Sequence, residues 1–132
     1  MITQYKNLAI ALIFLSVTFG FLCYAQADVD RWQYIASSDE YSFYYDNSAV
    51  SYGTSCVQVW VKAVPRVKLE IDGKHVTYVL KHWAFYSGER KFKELVTEYH
   101  FGSDISKRSG GEKKNVNPGT IVDELYERFC SN

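Results

Sequence analysis

The run from Asn115 to Cys130 has clear helical periodicity, in a chain whose pattern after residue 27 is otherwise that of strands. Its apolar residues between Ile121 and Phe129 recur at helical spacing, and charged residues take the other side. Asn117 suits the N-cap and Pro118 the first helical position. Because a helix with one apolar face must bury that face, we predict that this helix packs across a sheet.

The segment between residues 32 and 101 has the pattern of antiparallel strands. Cys56 to Val64 is β-branched and alternates, which indicates a strand. Asp72-Gly73 is a strong two-residue turn signal, and Ser87-Gly88-Glu89 is a second turn. Gly102 to Asn115 is polar, basic and glycine-bearing, so it is predicted to be a loop. The sequence therefore predicts an α+β fold, an antiparallel sheet of about five to six strands with the C-terminal helix packed on one face.

The first 27 residues have the pattern of a signal peptide. Lys6 gives a weakly positive start, Leu8 to Leu22 is nearly all apolar, and Ala25-Gln26-Ala27 is a small-x-small cleavage site. We expect a signal peptide at 1–27 and one exported domain at 28–132. A retained transmembrane anchor is the alternative, because the apolar run is close to the length that spans a bilayer.

The predicted mature chain is close to electrically neutral. The whole chain has 15 basic and 15 acidic residues, and the predicted signal peptide contains one of the basic residues and no acid. A neutral surface argues against nucleic acid or an anionic membrane as the main partner. We expect contact with a membrane only through an uncleaved signal peptide.

Two cysteines, Cys56 and Cys130, remain after residue 27. Small exported domains commonly pair their cysteines, so we predict a disulfide that ties the helix end to the sheet. The bridge would close a long loop and contribute on the order of 4 kcal/mol in the chain-entropy description. The alternative is a free buried thiol at the helix terminus.

The turn at Asp72-Gly73 predicts which residues of the two long strands oppose each other. In a regular hairpin Trp60 would face Phe85, and both would share one face with Trp83 and Cys56. The helix would then cover these aromatic residues. The other face would carry Val57, Val59, Val61, Ala63, Ala84 and Tyr86. That face is too apolar for water, so either another element covers it or it forms an interface, such as that of a homodimer.

No catalytic constellation stands out in the sequence. His75, His82 and His100 are its histidines, the nucleophile motif G-x-S-x-G is absent, and the carboxylates are scattered. We therefore predict a protein that is not an enzyme and has no catalytic residue, metal site or cofactor. A haem or metal contact at His75 and His100, which the second turn would place diagonally on one face, is the less favoured alternative.

Basic residues cluster in the second half of the domain, whereas residues 28–46 are acidic. This asymmetry predicts a docking surface for an acidic partner, with modest affinity and steep salt dependence. The candidate residues are Arg90, Lys91, Lys93, Lys107, Arg108, Lys113 and Lys114. The alternative is solvated loop charge and edge lysines that discourage edge pairing. Exposed tyrosines would add contact area to such a surface.

The motifs together resemble the surface-adhesin protein E family of small exported bacterial domains. The similar segments are a Trp-x-x-Ile run at Trp32, the aromatic segment Tyr44 to Val50, the strand Val57 to Val61, and the ending Asn117 to Cys130. The resemblance implies a sheet crossed by a C-terminal helix and tethered through Cys130. The sheet cysteine of the family would fall near Phe85-Tyr86-Ser87, where this chain has none, so Cys56 on the neighbouring strand would be a displaced anchor.

The same resemblance implies a location in the periplasm or on the outer surface of a bacterial cell, and binding to extracellular-matrix proteins of a host. We therefore expect an adhesin-like, non-catalytic binding module. The alternative is an envelope structural or accessory protein that binds another exported protein.

Overall fold

A computed structural model describes residues 31–131 of the chain. The predicted signal peptide lies outside the described residues, so its cleavage and the alternative of a retained anchor both stay predictions. Within residues 31–131, no helix is long and apolar enough to cross a membrane.

Ten strands and one helix follow one another in the described part of the chain. They are β1 (Trp32–Ser37), β2 (Tyr41–Asp46), β3 (Ser51–Tyr52), β4 (Cys56–Pro65), β5 (Glu70–Ile71), β6 (Lys74–His75), β7 (Tyr78–Tyr86), β8 (Lys91–Phe101), β9 (Asp104–Ser109), β10 (Lys114–Asn115) and α1 (Ile121–Cys130). Eight strands form one sheet in the order β1-β2-β4-β7-β8-β10, with β3 beside β4 and β9 beside β8, and β5 pairs with β6. All these pairs are antiparallel, which confirms the predicted α+β fold.

The sheet is larger than predicted because the polar segment after β8 pairs with β8. β9 pairs Asp104–Ser109 with residues 96–101, and β10 pairs Lys114 with Phe92. The prediction of a loop from Gly102 to Asn115 is therefore wrong, since an open strand edge offers hydrogen bonds that composition does not reveal. Gly110 permits the close approach at the end of β9, because a Cβ there would lie 1.2 Å from the backbone oxygen of Glu94.

The turn at Asp72-Gly73 is confirmed, but the register of the long strands differs from the prediction by three residues. Ile71 pairs with Lys74 as expected, whereas β4 and β7 pair Val57 with Phe85. The reason is an unequal connection. Residues 64–68 separate the paired part of β4 from the short hairpin, but only residues 77–78 separate the hairpin from the paired part of β7. The shift is odd, so it moves every side chain to the other face, and the prediction that Trp60 opposes Phe85 is wrong.

Helix α1 packs on the valine-bearing face of the sheet. Leu125 is fully buried there, and its cluster includes Tyr126, Val57, Val59, Val61, Trp83 and Phe85. The first alternative for this face is thus confirmed, because another element covers it. An interface on the part beneath α1 is excluded, and by register Trp60 and Tyr86 lie on the opposite face.

Helix α1 begins three residues later than predicted and ends at Cys130 as predicted. Its N-cap is Thr120, whose hydroxyl accepts a hydrogen bond from the backbone N–H of Asp123 at 3.1 Å. Asn117 instead belongs to the preceding turn, where its backbone oxygen accepts from the Thr120 hydroxyl at 2.7 Å. Gly119 has a φ of 78°, a left-handed conformation that a helix interior does not contain.

Candidate functional site

Arg90 is not part of a free basic surface, because it holds α1 against the turn between β7 and β8. Its guanidinium donates hydrogen bonds to Asp123 and, at 2.7 Å, to Glu127, both on α1. It also lies 5.2 Å from the ring centroid of Tyr126. The hydrogen bond to Glu127 and the charges of both carboxylates raise the pKa of Arg90. Arg90 therefore positions the helix.

Arg108 and Lys114 lie by register on the same face of the sheet as α1. Arg108 opposes Thr97, and its guanidinium carbon is 5.1 Å from the ring centroid of Tyr99. Lys114 pairs with Phe92, and its charge contributes to the low pKa of Glu94 described below. These two cations therefore cannot share a surface with residues of the opposite face.

Three of the seven predicted basic residues come together around Tyr86 on the face opposite α1. Lys91 pairs with Tyr86 in register, and Lys93 lies two residues further along the same face. The ammonium of Lys113 is 3.9 Å from the Tyr86 ring centroid and 3.1 Å from a carboxylate oxygen of Glu89. Lys91 and Lys93 have no ion-pair partner among residues 31–131. We call Lys91, Lys93 and Lys113 the lysine corner.

Lys107, the last of the predicted basic residues, is also on the face opposite α1 but lies apart from the lysine corner. It opposes Glu98 on β8, and its ammonium is 3.7 Å from a carboxylate oxygen of that residue. The seven predicted residues therefore do not form one surface. Arg90 contacts the helix, Arg108 and Lys114 lie on the same sheet face as α1, Lys107 is paired with Glu98, and the other three form the lysine corner.

The face opposite α1 carries stacked rings and a lysine held between aromatic side chains. Trp60 and His82 stack with their centroids 4.4 Å apart and their planes 2° from parallel. The ammonium of Lys62 lies 5.4 Å from the ring centroid of Trp32 and 4.6 Å from that of Tyr78. Neither α1 nor the β5–β6 hairpin, which packs on the other side, covers these residues. We call the surface formed by Trp32, Tyr34, Tyr44, Trp60, Lys62, Tyr78 and His82 the aromatic face.

His82 should make the stability of the domain depend on pH. Burial lowers the pKa of His82 below its usual 6.5, so the unfolded chain takes up this proton at a higher pH than the folded chain. The neutral ring contributes its full stabilisation above pH 6.5. This contribution decreases as the pH falls from 6.5 to the lowered pKa of His82 in the folded protein. Urea unfolding at about pH 7.5 and about pH 5 should show a loss of stability at the lower pH that His82→Phe reduces. An equal loss in both proteins would contradict this assignment.

The two cysteines lie near the same end of the sheet, Cys130 as the last residue of α1 and Cys56 as the first residue of β4. Ser87 hydrogen-bonds to the Cys130 thiol, and its backbone N–H donates to the oxygen of Ser55, next to Cys56. Both cysteines are half-buried free thiols, so the predicted disulfide is not present in the structure. Burial raises the pKa of the Cys130 thiol, a hydrogen bond with Ser87 opposes this effect, and the neighbouring Cys56 adds to it. By alternation along β4, Cys56 belongs to the row of Trp60. The prediction that Cys56 shares the face beneath the helix is therefore wrong, because that face carries Val57, Val59 and Val61.

His75 and His100 have different surroundings. His75 is exposed on β6, whereas His100 is buried and stacks on Tyr78 with a centroid distance of 4.2 Å. Within the described part of the chain, no group of three or more histidine, cysteine, aspartate or glutamate side chains could hold a metal ion.

A groove with a volume of about 380 Å³ lies between the sheet and the first turn of α1. Its walls include Phe43, Ala63, Val79, Tyr99, Ile121 and Val122. Lys81 and Trp83 also line it, on alternate positions of β7. A larger, more open trough of about 820 Å³ lies on the other side of the helix and is lined by acidic residues such as Glu124 and Glu127.

No family model, curated protein or solved structure matches this chain. The resemblance to the surface-adhesin protein E family therefore stays a prediction from motifs. Lys62, Lys81 and His82 were not among the site residues predicted from the sequence. The alternation along β4 and β7 shows which residues of each strand share a face. Only the register in the structure shows which rows of the two strands lie on the same face.

Proposed function

We propose that this chain is an exported, adhesin-like and non-catalytic binding module that recognises a protein partner through the aromatic face and the lysine corner. The observation that carries the proposal is the stack of Trp60 on His82 beside Lys62, on a sheet face that neither α1 nor the β5–β6 hairpin covers. Half-exposed rings on a rigid sheet supply large contact areas with little loss of side-chain freedom, which suits them to anchor a protein partner.

The charges on this face favour a partner with acidic side chains. Lys91 and Lys93 have no carboxylate partner within the described residues, so carboxylates of a partner can pair with them. Lys62 already lies over two rings, where a cation is held in a fixed position that a carboxylate can approach. Exposed pairs of this kind speed association more than they tighten binding, and salt screens them.

The proposal includes a disulfide between Cys56 and Cys130 that forms when the chain is exported. Its support is the position of both thiols at one end of the sheet, where Ser87 hydrogen-bonds to Cys130 and to the residue before Cys56. Thiol–disulfide exchange with an oxidised protein dithiol of the envelope would form the S–S bond, and that partner would take up the two electrons and two protons. The bridge would hold the end of α1 at the start of β4. A location in the periplasm or on the outer cell surface remains part of this proposal.

Binding to two immobilised extracts tests the function. The purified protein should bind a host extracellular-matrix extract, and raising NaCl from about 50 mM to about 500 mM should weaken the binding severalfold. Trp60→Ala and the double variant Lys91→Ala/Lys93→Ala should each weaken it about tenfold or more. The matched control is Lys68→Ala/Lys74→Ala, which removes two exposed lysines near the β5–β6 hairpin and should bind like the wild type.

An envelope extract from a bacterium separates the two classes of partner. Binding to that extract alone, with the same sensitivity to the variants, would favour the accessory-protein alternative over adhesion. A binding affinity that changes neither with the NaCl concentration nor in the two variants would contradict the proposed surface. Near-ultraviolet circular dichroism of each variant checks that a loss of binding does not come from a loss of folding.

A further inference from the structure

We infer that the groove beside α1 binds a small anionic amphiphile, a carboxylate attached to one short apolar chain. The groove lies on the opposite side of the sheet from the aromatic face, so this inference does not rest on the proposed function. It is carried by the shape of the groove and by the two donors on its β7 wall.

The apolar part of the ligand is indicated by walls that face each other across the groove. Phe43 and Val79 come from the sheet, and Ile121 and Val122 come from the first turn of α1. The volume of about 380 Å³ falls in the range of small-ligand sites. A space bounded on two sides by side chains accepts one chain and not the surface of a bilayer, so we assign the site to a free, monomeric acid.

The carboxylate of the ligand is indicated first by Lys81. Its ammonium donates to Glu94 at 3.0 Å, which uses one of its three N–H donors, and the others have no partner in the described chain. Glu94 also accepts a hydrogen bond from Thr97. Burial by itself would raise the pKa of Glu94, but the hydrogen bonds from Thr97 and Lys81 and the charges of Lys81 and Lys114 outweigh it and lower the pKa. Glu94 therefore remains an anion that orients Lys81.

The charges around this wall are mainly positive. Lys81 and Lys114 lie close enough to the Glu94 carboxylate for their charges to lower its pKa, and Arg108 lies over the ring of Tyr99, which lines the groove. On the helix, Asp123 follows the groove residue Val122 and is bound to Arg90. An anionic head group therefore meets an excess of positive charge at the sheet side of the groove.

The second donor is the indole N–H of Trp83. Trp83 is 6% exposed and lines the groove, and its N–H has no acceptor within residues 31–131. A buried donor without an acceptor is unfavourable. A ligand acceptor that hydrogen-bonds to it therefore stabilises the complex more than a hydrogen bond to an exposed donor would. Lys81 and Trp83 are two residues apart on one strand, roughly 7 Å along it. We assign one oxygen of the ligand carboxylate to the Lys81 ammonium and the other to the Trp83 N–H, since a carboxylate has two acceptor oxygens.

Decanoate, used below the concentration at which it forms micelles, is a suitable probe. Its addition should shift the indole N–H resonance of Trp83 in a ¹H–¹⁵N spectrum, with Trp83→Phe identifying that resonance among the three tryptophans. Decylammonium, which has the same chain and the opposite charge, should not bind. Lys81→Met should weaken decanoate binding about tenfold, and the exposed control Lys68→Met should leave it unchanged. Equal binding of decylammonium, or a folded Lys81→Met protein with unchanged decanoate affinity, would overturn the inference.

A second variant covers the case in which Lys81→Met unfolds because Glu94 loses its partner. Val122→Trp enlarges a half-buried residue on the helix wall and should fill the groove, so decanoate should no longer shift the Trp83 resonance. Retained binding in a folded Val122→Trp protein would contradict the site. Vesicles of phosphatidylglycerol should not bind, and binding to vesicles without binding to decanoate would contradict the assignment to a monomeric acid.

Discussion

Oxidation of Cys56 and Cys130 to a disulfide should raise the free energy of unfolding by about 4 kcal/mol. The bridge would join the first residue of β4 to the last residue of α1, so it would close most of the domain into one loop in the unfolded chain. The free energy of unfolding should rise because the crosslink lowers the conformational entropy of the unfolded chain. Urea unfolding of the oxidised and the reduced protein measures the difference, and the reduced protein should unfold at a clearly lower urea concentration.

The double variant Cys56→Ser/Cys130→Ser is the matched control for this prediction. It should unfold like the reduced wild type and should not respond to reductant. Mass spectrometry shows whether the bridge has formed, because the oxidised chain is lighter by two hydrogen atoms, and a non-reducing gel separates it from linked dimers. An oxidised monomer no more stable than the reduced one would contradict the prediction.

Phe85→Ala should lower the free energy of unfolding by about 3–5 kcal/mol. Phe85 is fully buried beneath α1, and its ring centroid lies 6.3 Å from those of Trp83 and Phe92 and 6.5 Å from that of Tyr126. Removal of the ring leaves a cavity between the sheet and the helix that these neighbours can fill only in part. Urea unfolding measures the loss, and circular dichroism in the near ultraviolet should show weaker aromatic signals.

Tyr86→Ala is the control for Phe85→Ala, since the two residues are neighbours on β7 and point to opposite faces. Tyr86 is half-buried beside Lys113, outside the helix-covered core, so its truncation should lower the stability by less than half as much. An equal loss in the two variants would contradict the register of β4 and β7. A larger loss of stability in Tyr86→Ala than in Phe85→Ala would mean that α1 covers the other face.

Local chemistry was enough to predict several elements of this fold. The helix end at Cys130, the strand β4 and the turn at Asp72-Gly73 were each predicted from a few neighbouring residues. Periodicity, alternation and turn preference act over short stretches, so a single sequence contains them. The same information predicted an α+β protein with one helix on an antiparallel sheet.

The candidate sites depended on longer-range information. The lysine corner joins Lys91 and Lys93 of β8 to Lys113 of a later segment, and only the sheet brings these residues to one face. Arg90 was predicted to belong to the basic surface, but two carboxylates of α1 bind it. A charge count cannot separate a lysine that is free from an arginine that is paired, because pairing depends on which elements meet in space.

From the sequence alone, this protein was determined to be a sheet crossed by one C-terminal helix, with two cysteines retained after residue 27. The tertiary structure decided which face the helix covers, because three additional residues on one side of the β5–β6 hairpin shift the register by an odd number. It also decided that residues 104–109 form a strand, since the open edge of β8 supplies partners for their backbone groups. Backbone pairing and loop length act between distant residues, so neither could be derived from local patterns.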